Sequence, residues 1–200
     1  MQAYSYLALG DSYTIGESVL LTENFPYQTV QLLRKSGIDI QAPEIIAKTG
    51  WTTDELQDAM APYHFREQYD FVSLLIGVNN QYRGRSADEY AIQFRSLLQK
   101  AIALAGGRKN RVVVLSIPDW GVTPFAEGRD RAAIAREIDI YNKVNREISA
   151  EAGVHYIDIT PGTREASHRP ELVAADGLHP SPIDYARWAA AVAAFFRSAI

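Results

Sequence analysis

Cysteine is absent from all 200 residues. That excludes a disulfide framework, a thiolate nucleophile, an Fe–S cluster and any Cys-based zinc site. An excess of positive charge is missing too: 20 Lys and Arg against 24 Asp and Glu leave a net charge of −4. This is the opposite of the basic footprint of a nucleic-acid binder, so no nucleic-acid partner is expected. No apolar run approaches the roughly 18 residues that a membrane-spanning helix requires. The stretch Met1–Leu9 lacks the basic start of a signal peptide and runs directly into a strand pattern, so a cytoplasmic location is expected. There is no Pro/Gly/Ser-rich linker, internal repeat or low-complexity segment. Residues 1–200 therefore read as a single domain, long enough to bury roughly 70% of the surface exposed when unfolded.

What is present is an alternation of short apolar, β-rich runs with longer segments of helical period, the pattern of βαβ units. Strands are predicted at Tyr4–Leu9, Glu44–Ala47, Phe71–Ile76, Val112–Ile117 and Val154–Ile159. The third and fourth are apolar at nearly every position, as suits parallel strands buried on both faces. Helices are predicted from capping boxes at Thr52/Glu55 and Ser86/Glu89, from an Asp130 cap and from Ser181-Pro182. Their inner faces carry Tyr90, Phe94, Leu97, Leu98, Ala101 and Ile102; Ile134, Ile138, Tyr141 and Ile148; and Tyr185, Trp188, Val192 and Phe195. Helical spacing marks these aromatics as core. The expected fold is an α/β, three-layer α/β/α sandwich around a five-stranded parallel sheet of flavodoxin-like topology.

In such folds ligands bind beyond the C-terminal ends of the strands, which selects five loops: 10–16, 49–53, 77–86, 118–130 and 160–180. In the first, Ser12 follows strand and turn directly, a position suited either to an exposed nucleophile with a backbone oxyanion donor or to a helix cap, a role Asp11 could also fill. In the last, Asp176-Gly177-Leu178-His179 sets a carboxylate three residues before an imidazole, so that it can engage Nδ1 and leave Nε2 for a serine proton. His64, His155 and His168 have no such neighbour and read as structural or solvated. Asn79 can offer a side-chain amide and Gly50 an unobstructed N–H to a developing oxyanion, although either also suits an ordinary turn.

In these four blocks the chain resembles the SGNH hydrolases, also called GDSL-type esterases and lipases, over nearly its whole length. The resemblance implies Ser12 as nucleophile, His179 as base and Asp176 as its orienting acid. It implies an oxyanion hole from the Ser12 and Gly50 N–H groups and the Asn79 amide. It also implies a serine esterase acting on carboxylic esters through an acyl-enzyme, with no cofactor and no metal. One departure stands out: the family's third block usually reads Gly-x-Asn-Asp, and here Asn80 takes the final position.

Substrate recognition is less legible. Arg83, Arg85, Arg129, Arg131, Arg164 and Arg169 lie on three edge loops, where they form either a basic rim that steers anionic substrates or solvated loop charge. Trp51 and Trp120, with Asn80 and Arg83, are candidate substrate contacts, and residues 161–175 a candidate flap. No long apolar lid helix is present, which favours a small or short-chain acyl group. A small-molecule ester is the expected partner; a lysophospholipid, an acetylated sugar and a thioester all suit the same machinery. Two readings from other classes are a flavodoxin-like phosphate or nucleotide binder, which needs no His179, and a metal phosphoesterase built on Asp11, Asp119 and His179, whose spacing does not support a metal cluster.

Overall fold

The computed structural model describes residues 3–200; Met1 and Gln2, the start of the stretch read above as leaderless, lie outside the described residues. Five parallel strands form one sheet: β1 (Tyr6–Asp11), β2 (Glu44–Lys48), β3 (Phe71–Leu75), β4 (Val112–Leu115) and β5 (His155–Ile157), in the order β2-β1-β3-β4-β5. Every residue of β1, β3 and β4 is buried, whereas the edge strands β2 and β5 are only partly covered. The continuous apolar runs thus occupy the centre of the sheet, where both faces are shielded.

The helices are α1 (Ser12–Ile15), α2 (Phe25–Lys35), α3 (Thr53–Met60), α4 (Val78–Tyr82), α5 (Ala87–Leu104), α6 (Arg131–Ala152), α7 (Thr160–Thr163) and α8 (Pro182–Ser198). Right-handed crossovers decide their placement. The chain steps from β1 outward to β2 and then back across β1 to β3, so α2 falls on one face and α3, α5 and α6 on the other. Helix α8 returns to pack on α2. The reversal at β1 creates a topological switch point between β1 and β3, and the chemistry-bearing loops open there.

Three of the predicted helix starts carry their side-chain caps, whereas Ser181 Oγ, at the start of α8, donates to the Glu171 carbonyl instead of capping. Glu55 accepts from the Thr52 N–H (2.9 Å), Ser86 Oγ from the Glu89 N–H (3.1 Å) and Asp130 Oδ1 from the Ala133 N–H (2.9 Å). Helix α2 was not anticipated. Its signal is Asn24, which accepts from the Tyr27 N–H (2.9 Å) at the start, with Pro26 in the first turn.

One core assignment is corrected. Phe196, not Phe195, is buried in α8, because the spacing Tyr185, Trp188, Val192 continues by four residues to position 196. Its ring stacks on Phe71 at 4.2 Å, while Phe195 sits half-buried against the His155 ring. Residues 161–175, expected as an irregular flap, instead form α7 and two 3₁₀ turns, Arg164–Ser167 and Pro170–Leu172. Ion pairs from Arg164 to Asp119 (2.8 Å) and from Arg187 to Glu165 (2.6 Å) tie this segment down.

Candidate active site

Strand β1 runs two residues further than its apolar pattern, through Gly10 and Asp11, and turns at once into the single turn of α1. Gly10 is required by close approach: a Cβ there would lie 2.1 Å from Thr14 Oγ1 and 2.4 Å from the Leu75 carbonyl oxygen. The cap of α1 is Asp11, whose Oδ1 accepts from the Tyr13 N–H (3.0 Å). Burial raises the Asp11 carboxyl to about 7, an effect that the Tyr13 amide only partly offsets. Because Asp11 caps the turn, Ser12 is released from that duty. Its hydroxyl lies 3.0 Å from His179 Nε2, across 167 residues of sequence.

His179 Nδ1 sits 2.6 Å from Asp176 Oδ2. The other carboxylate oxygen, Oδ1, accepts from the Leu178 and His179 N–H groups at 2.9 and 3.0 Å, which locks the Asp-x-x-His turn. Burial favours protonation of Asp176. The His179 ring, the two amides and the Ser18 hydroxyl outweigh it and hold the carboxyl at about 2. An ionised carboxylate only accepts, so Nδ1 carries the ring proton and the Nε2 lone pair faces the Ser12 hydroxyl. Ser12 and His179 are both buried, at 4% and 6% exposure, which shields the pair from bulk water.

Asn79 follows β3 across the switch point. Gly77 starts α4 at φ +132°, where a Cβ would lie 2.6 Å from the Tyr90 ring, so only glycine permits this turn. One N–H of the Asn79 amide is held by the Trp51 carbonyl (3.0 Å), leaving the second free on a side chain that lines the cleft beside Ser12 and His179. Gly50 has φ +83°, and its carbonyl is gripped by Arg83 at 2.6 Å. Replacing Asn79 with Ala is expected to lower kcat on a carboxylic ester about 10²–10³-fold with little change in KM, the usual cost of one oxyanion donor. An unchanged kcat would remove Asn79 from that role.

Asn80 is corrected as a substrate contact. It is fully buried, its Oδ1 accepting from the Thr53 N–H (3.0 Å) and its Nδ2 donating to Thr53 Oγ1 (2.7 Å). An amide both accepts and donates, so it ties α4 to the start of α3, and an ionised Asp at this position could only accept.

Of the two readings of the edge-loop arginines, a free basic rim is not the one that forms. Arg83 pairs with Glu55, Arg85 with Asp54 and Glu89, Arg164 with Asp119 and Asp139, and Arg169 with Glu165 and Glu171. Arg131 donates to the Gly121 and Thr123 carbonyls. Neither Arg131 nor Arg129, which lies over the Tyr82 and Trp120 rings, has a carboxylate partner among the described residues. Carboxylates offset four of the six charges: those facing Arg83 and Arg164 are distant in sequence, those facing Arg169 are local, and Arg85 has one of each.

The cleft over Ser12 holds about 130 Å³. Val78, Tyr82, Trp120, Phe125 and Leu178 form its apolar wall. Trp120 belongs to the site, anchored by its Nε1–H to Gln81 Oε1 (2.7 Å), whereas Trp51 contributes its carbonyl to Asn79 and its ring lies outside the cleft. The sequence does not single out Tyr82, Phe125 and Leu178; each lies within one of the five selected loops, but no spacing aims them at Ser12. His64 and His168 are exposed, and His155 stacks on Phe195. Among the described residues, no group of three His, Cys, Asp or Glu side chains is placed to hold a metal ion. A cavity of about 790 Å³ lies at the opposite end of the sheet around Tyr4, Asp39 and Asp70, and no histidine lines it.

Comparison with known proteins bears on the family and the fold. Residues 8–187 match the model of the GDSL-like lipase/acylhydrolase family. An acetylxylan esterase of Geobacillus stearothermophilus is 26% identical over 190 residues, covering 88% of this chain and 77% of that protein. Among solved structures, the lipase/acylhydrolase from Enterococcus faecalis superposes with a TM-score of 0.74 at 21% identity, covering 98% of this chain and 96% of the other. The acetylxylan esterase Axe2 from Geobacillus stearothermophilus does so with a TM-score of 0.73 at 21% identity, over the same shares.

Proposed function

This chain belongs to the GDSL-like lipase/acylhydrolase family and is an ester-bond hydrolase, and from that premise we propose that it cleaves carboxylic esters of small, short-chain acids through an acyl-enzyme on Ser12. The observation that carries the proposal is the continuous relay from Asp176 Oδ2 through the His179 ring to Ser12 Oγ, at 2.6 and 3.0 Å. His179 Nε2 takes the hydroxyl proton as Oγ attacks the acyl carbon. The negative charge that develops on the carbonyl oxygen is met by the Ser12 and Gly50 N–H groups and the free N–H of Asn79. The imidazolium then protonates the departing alcohol, and a water activated by the same ring hydrolyses the acyl-enzyme.

The size of the cleft supports the short acyl chain. Sites for drug-sized ligands usually hold about 300–1,000 Å³, and 130 Å³ walled by anchored Trp120 suits an acetyl to butyryl group. The similarity to an acetylxylan esterase supports acetate as one such group. Rings of Tyr82 and Phe125, each 44% exposed, give the alcohol portion an apolar surface to lie on.

A series of p-nitrophenyl esters tests this reading. The expected result is highest kcat/KM for acetate to butyrate and a steep fall by octanoate, with a fluorophosphonate probe labelling Ser12 alone. Preference for long acyl chains would overturn the substrate class, and esterase activity without Ser12 labelling would overturn the mechanism. No described helix is long and apolar enough to cross a membrane.

A further inference from the structure

Ser18 stands apart in the backbone. Among the described residues it is the only non-glycine with positive φ, at +65°. A side chain in that region is disfavoured by contact between its Cβ and the backbone, and such outliers concentrate where a function holds them. Ser18 is exposed and packs in no core, so burial does not explain the conformation. Its hydroxyl does have a partner: it donates to Asp176 Oδ2 at 2.8 Å, across 158 residues of sequence.

That oxygen is the one His179 Nδ1 engages. A carboxylate offers about four lone-pair sites. Here Leu178 N–H and His179 N–H occupy Oδ1, and His179 Nδ1 and Ser18 Oγ occupy Oδ2. Ser18 is therefore the only donor from outside the Asp-x-x-His turn, and it completes the set. The neighbouring Glu17 reaches the other way, accepting from the Thr49 hydroxyl beside Gly50. The segment leaving the nucleophile's helix thus clasps both the acid's turn and the loop that carries an oxyanion donor.

We propose that Ser18 is a positioning residue for the esterase reaction: its left-handed backbone aims the hydroxyl at Asp176 Oδ2, fixing the carboxylate plane and through it the His179 ring over Ser12. This rests on the reading of Ser12, His179 and Asp176 given above. With the hydroxyl removed, the outer lone pair of Oδ2 passes to water and the carboxylate gains freedom about its last torsion.

Three substitutions separate positioning from a structural role, because activity and stability should rank them differently. Ser18→Gly relieves the backbone and Ser18→Ala does not, yet both lack the hydroxyl. Each is expected to lower kcat by roughly tenfold with KM nearly unchanged, the factor set by one orienting hydrogen bond. The melting temperature of Ser18→Gly should exceed that of Ser18→Ala by about 2–4 °C. Ser18→Thr keeps the hydroxyl on a β-branched residue that tolerates positive φ poorly, so it should be the least stable of the three while retaining kcat within about twofold. Activity that follows stability, with Gly highest and Thr lowest, or parental kcat in all three, would overturn the proposal. Parental activity in a Ser12→Ala control would instead overturn the underlying mechanism.

Discussion

Ser12→Ala is expected to lower kcat/KM on p-nitrophenyl acetate by about 10⁴–10⁶-fold while leaving the fold intact. On the proposed mechanism the size of the loss follows from removal of the atom that forms the acyl-enzyme, since members of such a relay act as a unit and the residual rate comes from the oxyanion donors and binding alone. That the fold survives is a separate consequence of local structure. Asp11 accepts the hydrogen bond that caps α1, and the Ser12 side chain makes only the contact to His179. A helix position at N1 loses little when Ser becomes Ala. The variant should therefore keep the parental melting temperature and lose both turnover and fluorophosphonate labelling. Undiminished hydrolysis would mean that another group carries the chemistry.

Asp176→Asn is expected to cost about 10³–10⁴-fold in kcat, for a reason specific to the bonds that Asp176 makes. All four of its hydrogen bonds are accepted, from two backbone amides, an imidazole N–H and a hydroxyl. An amide brings a donor to one end. If its NH₂ faces the Leu178 and His179 amides, two donors meet and the turn opens; if it faces Nδ1, the ring must give up that proton and carry it on Nε2, where it can no longer accept from Ser12.

The same substitution has a pH signature. Because the carboxyl is held at about 2 instead of its ordinary 3.8, its ionised form stabilises the folded state above that ordinary value, and the contribution is lost as the pH falls through 2. The melting temperature of the parent should thus decline between these limits more steeply than that of Asp176→Asn. Parallel melting curves, or a variant with near-parental kcat, would contradict the assignment of Asp176.

Much of this protein can be read from one strand of text because the relevant physics is local. Apolar runs such as Val112–Leu115 report a buried parallel strand wherever they lie, and the caps at Ser86 and Asp130 act within three residues. Asp176 and His179 belong to one turn, so their pairing follows from their spacing. The family resemblance of the four motif blocks carried the rest of the site. Spacing alone points to Phe195 in place of Phe196 because a helical stripe drifts relative to any fixed spacing, and only contact with Phe71 selects between adjacent rings.

Long-range encounters lay beyond the sequence. The approach of Ser12 to His179 requires α8 to return to the β1 face, and Asn79 joins them only because the strand order reverses between β1 and β3. The sequence leaves Arg83, Arg85 and Arg164 as either a basic rim or solvated loop charge, and only folding brings Glu55, Asp54 and Asp119 to them. Ser18 left no mark in the text at all, since neither its left-handed φ nor its distance from Asp176 has a local signature. The absence of cysteine, by contrast, was decisive as it stood: composition alone removed the thiol as a nucleophile. The family resemblance points to Ser12 as the hydroxyl in its place, but only the tertiary structure brings that hydroxyl to an imidazole 167 residues away, because such an approach has no local signature.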